Sequence, residues 1–154
     1  MGSVVGIFVA RVGEAKPEPR DEVMAVAGRG LEGDRYFDGT GTYSQTPATG
    51  RDVTLIESEA LDAAATDYGV DLPPGASRRN IVTAGVALNH LVGKEFLVGG
   101  VRLRGMRLCE PCSHLAKLTG RPVVKALIHR AGLRADILEG GAIHLGDEVQ
   151  PIGP

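Results

Sequence analysis

Short runs in which hydrophobic and polar residues alternate recur along the chain, and they predict β-strands. The runs are rich in Val, Ile and Leu, and Gly, Asp or Pro separates them, which is typical of strands joined by tight turns. The predicted strands lie within SVVGIFVARV (3–12), DEVMAVA (21–27), DVTLIE (52–57), NIVTAG (80–85), KEFLVG (94–99), VRLRGMRL (101–108), LRADILEGG (133–141) and AIHLGDEVQPI (142–152).

Two of these runs also predict a bulge or turns. In VRLRGMRL the alternation slips near Gly105, which predicts a β-bulge at that glycine. The closing segment GGAIHLGDEVQPI predicts a pair of strands, with turns at Gly140–Gly141 and at Gly146–Asp147.

Two helices interrupt the strands. ESEALDAAATDYG (57–69) has Ala and Leu at helical spacing and a glycine stop, and RPVVKALIHRAG (121–132) has Pro122 in its first turn. A third, single-turn helix is predicted from Pro111 to Leu118. Together, the strands and helices predict one mainly β (β-rich α+β) domain over residues 1–154. Its predicted architecture is a barrel or folded sheet with short peripheral helices. The polar stretch 37–50 is predicted to be a binding loop or lid.

Composition and charge narrow the classes of partner. A net charge of −2 gives no reason to expect nucleic acid or an anionic membrane as a partner. The N-terminal apolar run is too short for a targeting segment, and no run is long enough to span a membrane. We therefore expect a cytoplasmic protein, in which two cysteines serve chemistry rather than a structural disulfide.

The cysteines, Cys109 and Cys112, form a C-x-x-C that allows several interpretations. It can be half of a zinc site, although the four histidines are spread along the chain, or a redox pair, although the surrounding pattern is not a thioredoxin unit. Either cysteine can also be a small buried hydrophobe.

Cys112 is the stronger candidate for chemistry. Because Pro111 marks a helix start, Cys112 falls in the first turn, where unpaired N–H groups and the helix dipole favour a thiolate. Nearby arginines of the 101–108 run add positive potential. A thiol of low pKa serves as a nucleophile, a sulfur carrier or a soft-metal ligand.

Two further segments offer ligand-binding groups. Arg78, Arg79 and Asn80 stand directly before a strand, where the arginine fork suits phosphate or carboxylate; the alternative is a solvated arginine pair. GRGLEGDRY (28–36) is a glycine-rich turn that carries Asp34 and Arg35, but it lacks the ending of a P-loop. Arg51 is a further candidate for the basic floor of a pocket.

Taken in order, several of these segments resemble the MOSC domain, the family named for the C-terminal domain of molybdenum-cofactor sulfurases. They are GLEGDRY, RDVTLIE, SRRNIVTAGVALNHLVGKEFLVGGVRLRGMRLCEPC and GGAIHLGDEV, and the resemblance runs over about residues 28–150. It implies a MOSC-type β-barrel and a site for the molybdenum cofactor (molybdopterin), a pterin that carries a phosphate and a dithiolene-bound metal.

The resemblance also implies roles for single residues. The family cysteine that ligates molybdenum or carries a persulfide matches Cys112, while Cys109 matches a more variable position. The groups that contact the pterin and its phosphate match Arg78 and Asn80, with Arg79 beside them, and the family's Gly-Asp turn matches Asp34 and Arg35. The sulfurases' pyridoxal-phosphate-dependent aminotransferase-like domain has no counterpart in these 154 residues.

Three functions compete. The first is a cofactor-binding domain, acting as a small molybdenum-dependent reductase of N-hydroxylated compounds with Cys112 as the metal ligand and an electron-donor protein as partner. The second is a persulfide carrier that receives sulfur from a donor protein on Cys112, with Cys109 resolving it. The third is an inactive anion-binding module that uses the basic pocket without thiol chemistry.

Overall fold

A computed structural model describes residues 2–10, 17–34, 52–69, 75, 77–109 and 132–152 of the chain. These residues form eleven strands, one α-helix (α1) and a 3-10 turn at Leu88–Leu91. The helix α1 is Ser58–Tyr68, and the strands are β1 Gly2–Val9, β2 Glu18–Pro19, β3 Glu22–Val26, β4 Gly30–Leu31, β5 Val53–Glu57, β6 Ile81–Ala84, β7 Glu95–Val98, β8 Val101–Leu108, β9 Leu133–Glu139, β10 Gly141–His144 and β11 Glu148–Pro151.

Seven strands close into a barrel. The order β11-β7-β8-β9-β5-β6-β1 returns on itself because β11 also pairs with β1, and β2 continues from β1 outside the ring. A second sheet of three strands has the order β10-β3-β4. Closure satisfies the strand edges without a partner sheet. The predicted mainly β barrel is confirmed.

The apolar positions of the alternating strands fill the barrel. Register sets Ile7 beside Ile81, Ile81 beside Leu55, and Leu55 beside Leu133. All four side chains are buried in one core cluster. A continuous inner row therefore crosses four strands, which is what period-two alternation predicts when one face of each strand is inside.

The helix α1 contacts the outside of β5 and β6. Its alanines Ala60 and Ala64 are buried and lie one turn apart, so they form its contact face. It ends at Gly69, whose left-handed φ of 66° places its N–H on the carbonyl of Ala65. The predicted helix and its glycine stop are both confirmed. Among the described residues, no helix has the length and apolar character needed to cross a membrane.

The predicted bulge lies where the sequence places it. The pairing of β8 with β9 shifts register between Gly105 and Arg107. A Cβ at Gly105 would stand 2.1 Å from the carbonyl oxygen of Leu91, so only glycine allows this close backbone approach.

The closing segment contains the two predicted strands, but these strands do not pair with each other. Strand β10 pairs with β3 in the smaller sheet, whereas β11 pairs with β7 and β1 in the barrel. The turn between them is present, but Gly146 donates its N–H to Val4 and Asp147 accepts from the N–H of His144. The turn is therefore anchored to β1 and directs the two strands into different sheets. The predicted helix at 111–118, the loop 37–50 and the predicted helix at 121–132, except for its last residue, Gly132, lie outside the described residues.

Candidate functional site

Asn80, predicted to contact a ligand, joins three strands at the start of β6. Its Oδ1 accepts from the N–H and the hydroxyl of Thr54, both at 3.1 Å, and its Nδ2 donates to the carbonyl of Phe8 at 3.1 Å. Its backbone N–H donates to the hydroxyl of Thr54 at 3.0 Å. The side chain is 3% exposed, and these contacts tie β1 and β5 to β6. Contact with a cofactor stays a prediction for this residue.

The turn before Asn80 holds Arg78 in an unusual backbone conformation. Its φ of 62° is the only left-handed value among the described non-glycine residues, and such values concentrate at functional sites. The N–H of Arg78 donates to Gly75 at 2.9 Å, and Gly75 packs against the ring of Phe8. This turn sets the position of the backbone at the next residue, Arg79.

The contact between Arg79 and Cys109 brings together two segments that the sequence singled out. Arg79 is 9% exposed, and its Nη2 donates to the carbonyl oxygen of Cys109 at 3.3 Å. Cys109 is a free thiol, 1% exposed, and its N–H donates to Gly132 at 2.8 Å, which extends the pairing of β8 with β9. A guanidinium removed from water therefore lies at the point where β8 leads into the C-x-x-C, a region called here the cysteine end of β8 (Arg107 to Cys109).

Asp34 is a fully buried carboxylate at the end of β1. Its Oδ1 accepts from the N–H of Ala10 at 3.0 Å, and its own N–H donates to Leu31. It therefore attaches the glycine-rich turn to the residue that follows β1. The other predicted site residues, Arg35, Arg51 and Cys112, lie outside the described residues.

The arginines of β8 differ from one another in their surroundings. Arg102 forms an ion pair with Glu95 and a second one, at 3.7 Å, with Glu139. Arg104 lies opposite Glu95 on β7 and Asp136 on β9. Both positions therefore have residues with carboxylate side chains on the neighbouring strands, and Arg102 is paired with two of them.

Arg107 has a different neighbour, one that the sequence did not reveal. Its cross-strand partner on β9 is Arg134, and Arg134 in turn lies opposite Thr54, the residue held by Asn80. The neighbours of Arg134 along β9, Leu133 and Ala135, are in the core, so Arg134 is on the outer face. Its identity as a strand residue was predictable, but its pairing required the register.

Asp52 is a second residue that sequence reasoning missed. It is half-buried before β5, and its Oδ2 accepts from the N–H of Ile137 at 2.9 Å. Burial raises the pKa of Asp52 above its ordinary value and the charge of Asp136 adds to this, while hydrogen bonds from the backbone of Ile137 and Gly28 act in the opposite direction. Asp52 thus holds the glycine turn that leads to Asp34 against β9.

The raised pKa gives a pH-dependent stability with a defined sign. The pKa of this carboxyl is higher in the folded protein than in the unfolded chain. The folded state therefore becomes less stable as the pH rises from the unfolded pKa through the folded pKa. The unfolding free energy of wild type minus that of Asp52→Asn should therefore fall as the pH rises through the window just above 3.8. Urea unfolding of both proteins at a series of pH values measures this difference. A difference that is flat or rises with pH contradicts the assignment.

A family model described as the MOSC domain matches residues 41–150. The chain belongs to the MOSC domain family. A sequence comparison with curated proteins gives no significant match. MOSC domains are associated with the molybdenum cofactor, so this chain is a molybdenum-cofactor-associated domain.

Solved structures share the MOSC fold. The YuaD protein from Bacillus subtilis superposes with a TM-score of 0.80 at 19% identity, covering 98% of this chain and 96% of its own. YiiM from Geobacillus stearothermophilus gives 0.76 at 18% identity, covering 99% and 76%, and YiiM from Escherichia coli gives 0.70 at 14% identity, covering 99% and 70%. At these identities the likeness establishes the fold alone.

Proposed function

We propose that this MOSC domain binds the molybdenum cofactor at the cysteine end of β8, with the Cys112 thiolate as the protein ligand of the metal. The observation that carries the proposal is the contact between buried Arg79 and Cys109. It joins the Arg-Arg-Asn segment to the C-x-x-C, the two segments whose residue types suit a phosphate-bearing pterin and a soft metal.

The described residues suit this group chemically. Arg79 is a buried guanidinium that donates to the Cys109 carbonyl, and a guanidinium suits an anionic ligand such as phosphate. Arg107 and Arg134 add positive charge at the same end of β8. The dithiolene of the cofactor brings two sulfurs of its own, so a single protein thiolate suffices and a separate cluster of metal ligands is not required.

The proposed activity is the reduction of an N-hydroxylated compound. One N–O bond breaks, two electrons from an electron-donor protein and two protons are consumed, and the amine-type product and water are released. When bound, the cofactor would supply the two-electron chemistry. The chain's own contribution is positional: Asn80 fixes the strands that carry the basic segment, and Arg79 fixes the backbone that leads to the cysteines.

Arg79→Gln tests whether this contact belongs to the cofactor site. We expect the molybdenum content of protein made in a cofactor-producing host to fall about tenfold, since a charge-assisted hydrogen bond contributes roughly 1.5–3 kcal/mol. Arg102→Gln, which removes an arginine already paired with carboxylates, should retain wild-type content. The measurement is elemental analysis of folded protein, with the unfolding midpoint checked for each variant. Wild-type molybdenum content in a folded Arg79→Gln protein contradicts the assignment.

The spacing of the two cysteines favours a second candidate, a persulfide carrier that delivers sulfur to a cofactor or partner protein. Thiol exchange requires access to the attacking sulfur, and Cys109 is 1% exposed. In this reading Cys112 carries the sulfur and Cys109 can resolve it only after local opening. Intact mass after incubation with a cysteine desulfurase and cysteine separates the two: one extra sulfur on Cys112 supports the carrier, and an unchanged mass counts against it.

A further inference from the structure

A cleft of about 310 Å³, called here the β7–β8 cleft, opens on the outside of the barrel at the start of β7. Its lining contains three cationic residues and one acidic residue, and it consists of Gly93, Lys94, Glu95, Arg102, Arg104 and Ile152. Arg102 and Arg104 alternate along β8 with the core residues Val101 and Leu103, so the cleft is on the outer face of the strand. Because the whole chain has a net charge of −2, the excess of positive charge is local to this cleft.

The single carboxylate of the β7–β8 cleft is already engaged. Both Nε and Nη2 of Arg102 contact Oε1 of Glu95, and Nη1 of the same guanidinium lies 3.7 Å from Oε1 of Glu139. The remaining cations are Lys94 and Arg104, and both are exposed. Within the part of the chain that the structure describes, neither of their side chains has an ion-pair partner. The cleft therefore presents two cationic groups to any molecule that enters it.

Ile152 gives the β7–β8 cleft an apolar edge. Its side chain is 38% exposed. Its N–H donates to the carbonyl oxygen of Glu95 at 3.1 Å, which holds the segment after β11 against β7. An aliphatic side chain is thus fixed beside the two exposed cations, so the cleft offers one apolar contact together with its positive charge.

We propose that the β7–β8 cleft is a docking surface for an acidic segment of a partner protein, one that carries an apolar residue among its carboxylates. Charge complementarity supports this occupant, since exposed cations on one surface attract carboxylates on another and orient the two proteins. Arg104 lies five residues before Cys109, roughly 15 Å along a strand. A partner docked here therefore leaves the cysteine end of β8 accessible, and its docking does not depend on cofactor binding.

Fluorescence polarisation of a labelled peptide, Glu-Glu-Leu-Glu-Glu, with the full-length chain at low ionic strength tests the proposal. The matched probe is Gln-Gln-Leu-Gln-Gln, which has the same length and apolar residue but no side-chain charge. Lys94→Gln and Arg104→Gln should each weaken binding of the acidic peptide about threefold, and the double variant about tenfold, because exposed charge pairs contribute little singly. Arg20→Gln is the control, since it removes the same charge from an exposed arginine outside the cleft, and its affinity should equal that of wild type.

Glu95→Gln provides a readout that damage to the fold does not imitate. The substitution removes the carboxylate of the β7–β8 cleft and releases Arg102 from it, so the affinity for the acidic peptide should rise about threefold. Raising the ionic strength from about 0.01 M to about 0.15 M shortens the Debye length from about 30 Å to about 8 Å. The preference for the acidic peptide over the glutamine peptide should shrink accordingly.

Three results would each overturn the proposal. The first is equal binding of the acidic and glutamine peptides at low ionic strength. The second is wild-type affinity in the Lys94→Gln/Arg104→Gln double variant with an unchanged unfolding midpoint, or equal weakening by Arg20→Gln. The third is displacement of the acidic peptide by free citrate that binds more tightly than the peptide, since the β7–β8 cleft is then a site for a small carboxylate and not for a protein segment.

Discussion

Asn80→Ala is expected to lower the free energy of unfolding by about 3 kcal/mol. The substitution removes three side-chain hydrogen bonds, two to Thr54 and one to Phe8. It also leaves the Thr54 N–H and the Phe8 carbonyl without the hydrogen bonds that the buried Asn80 side chain makes to them. An unsatisfied buried polar group costs about 1–3 kcal/mol, so the loss exceeds that of an ordinary surface change.

Urea unfolding of wild type and Asn80→Ala measures this loss directly. Gln150→Ala is the control, because Gln150 is an exposed side-chain amide on β11 and surface changes usually alter stability by less than about 0.5 kcal/mol. Asn80→Asp is informative as well: it keeps an acceptor for Thr54 but places an oxygen against the Phe8 carbonyl. A loss below about 1 kcal/mol in Asn80→Ala would contradict the account of this residue as the junction of β1, β5 and β6.

Cys112→Ala is expected to eliminate bound molybdenum, whereas Cys109→Ala should retain most of it. The physical reason is that the metal needs one soft thiolate from the protein, and the pattern around Pro111 favours Cys112 as that thiolate. Cys109 is buried against the start of β9 and has the surroundings of a small apolar side chain. Elemental analysis of both variants, made side by side in a cofactor-producing host, compares them. Equal loss in the two variants, or retention in Cys112→Ala, contradicts this division of roles.

The local features of the fold were predictable because they depend on neighbouring residues. Alternation identified β8 over Val101–Leu108 and the bulge at Gly105, and the spacing of alanines with Gly69 identified α1. These signals depend on side-chain direction within one element, and the sequence contains them in full.

The features that depend on pairing were not predictable. The closing segment contains two strands and a turn, as its pattern indicates, but the turn is hydrogen-bonded to Val4 of β1 and the two strands enter different sheets. The position of Arg134 opposite Arg107 likewise depends on strand pairing. Both features depend on the register between strands that are distant in the sequence, and the local pattern of hydrophobic and polar residues does not specify that register.

Asn80 illustrates a third case. The sequence marked it as a ligand-binding amide, and the structure gives it buried hydrogen bonds to Thr54 and Phe8. An amide suits either role, since it offers both donors and acceptors. Only the positions of the partner atoms distinguish a residue that builds the site from one that touches its contents, and those positions come from three different strands.

We propose that this MOSC domain holds the molybdenum cofactor at the cysteine end of β8. The most direct measurement is the molybdenum and pterin content of the wild-type chain purified from a cofactor-producing host, alongside Cys112→Ala. We expect near-stoichiometric molybdenum and pterin in wild type and background molybdenum in the variant. Background molybdenum and pterin in a folded wild-type protein would contradict it.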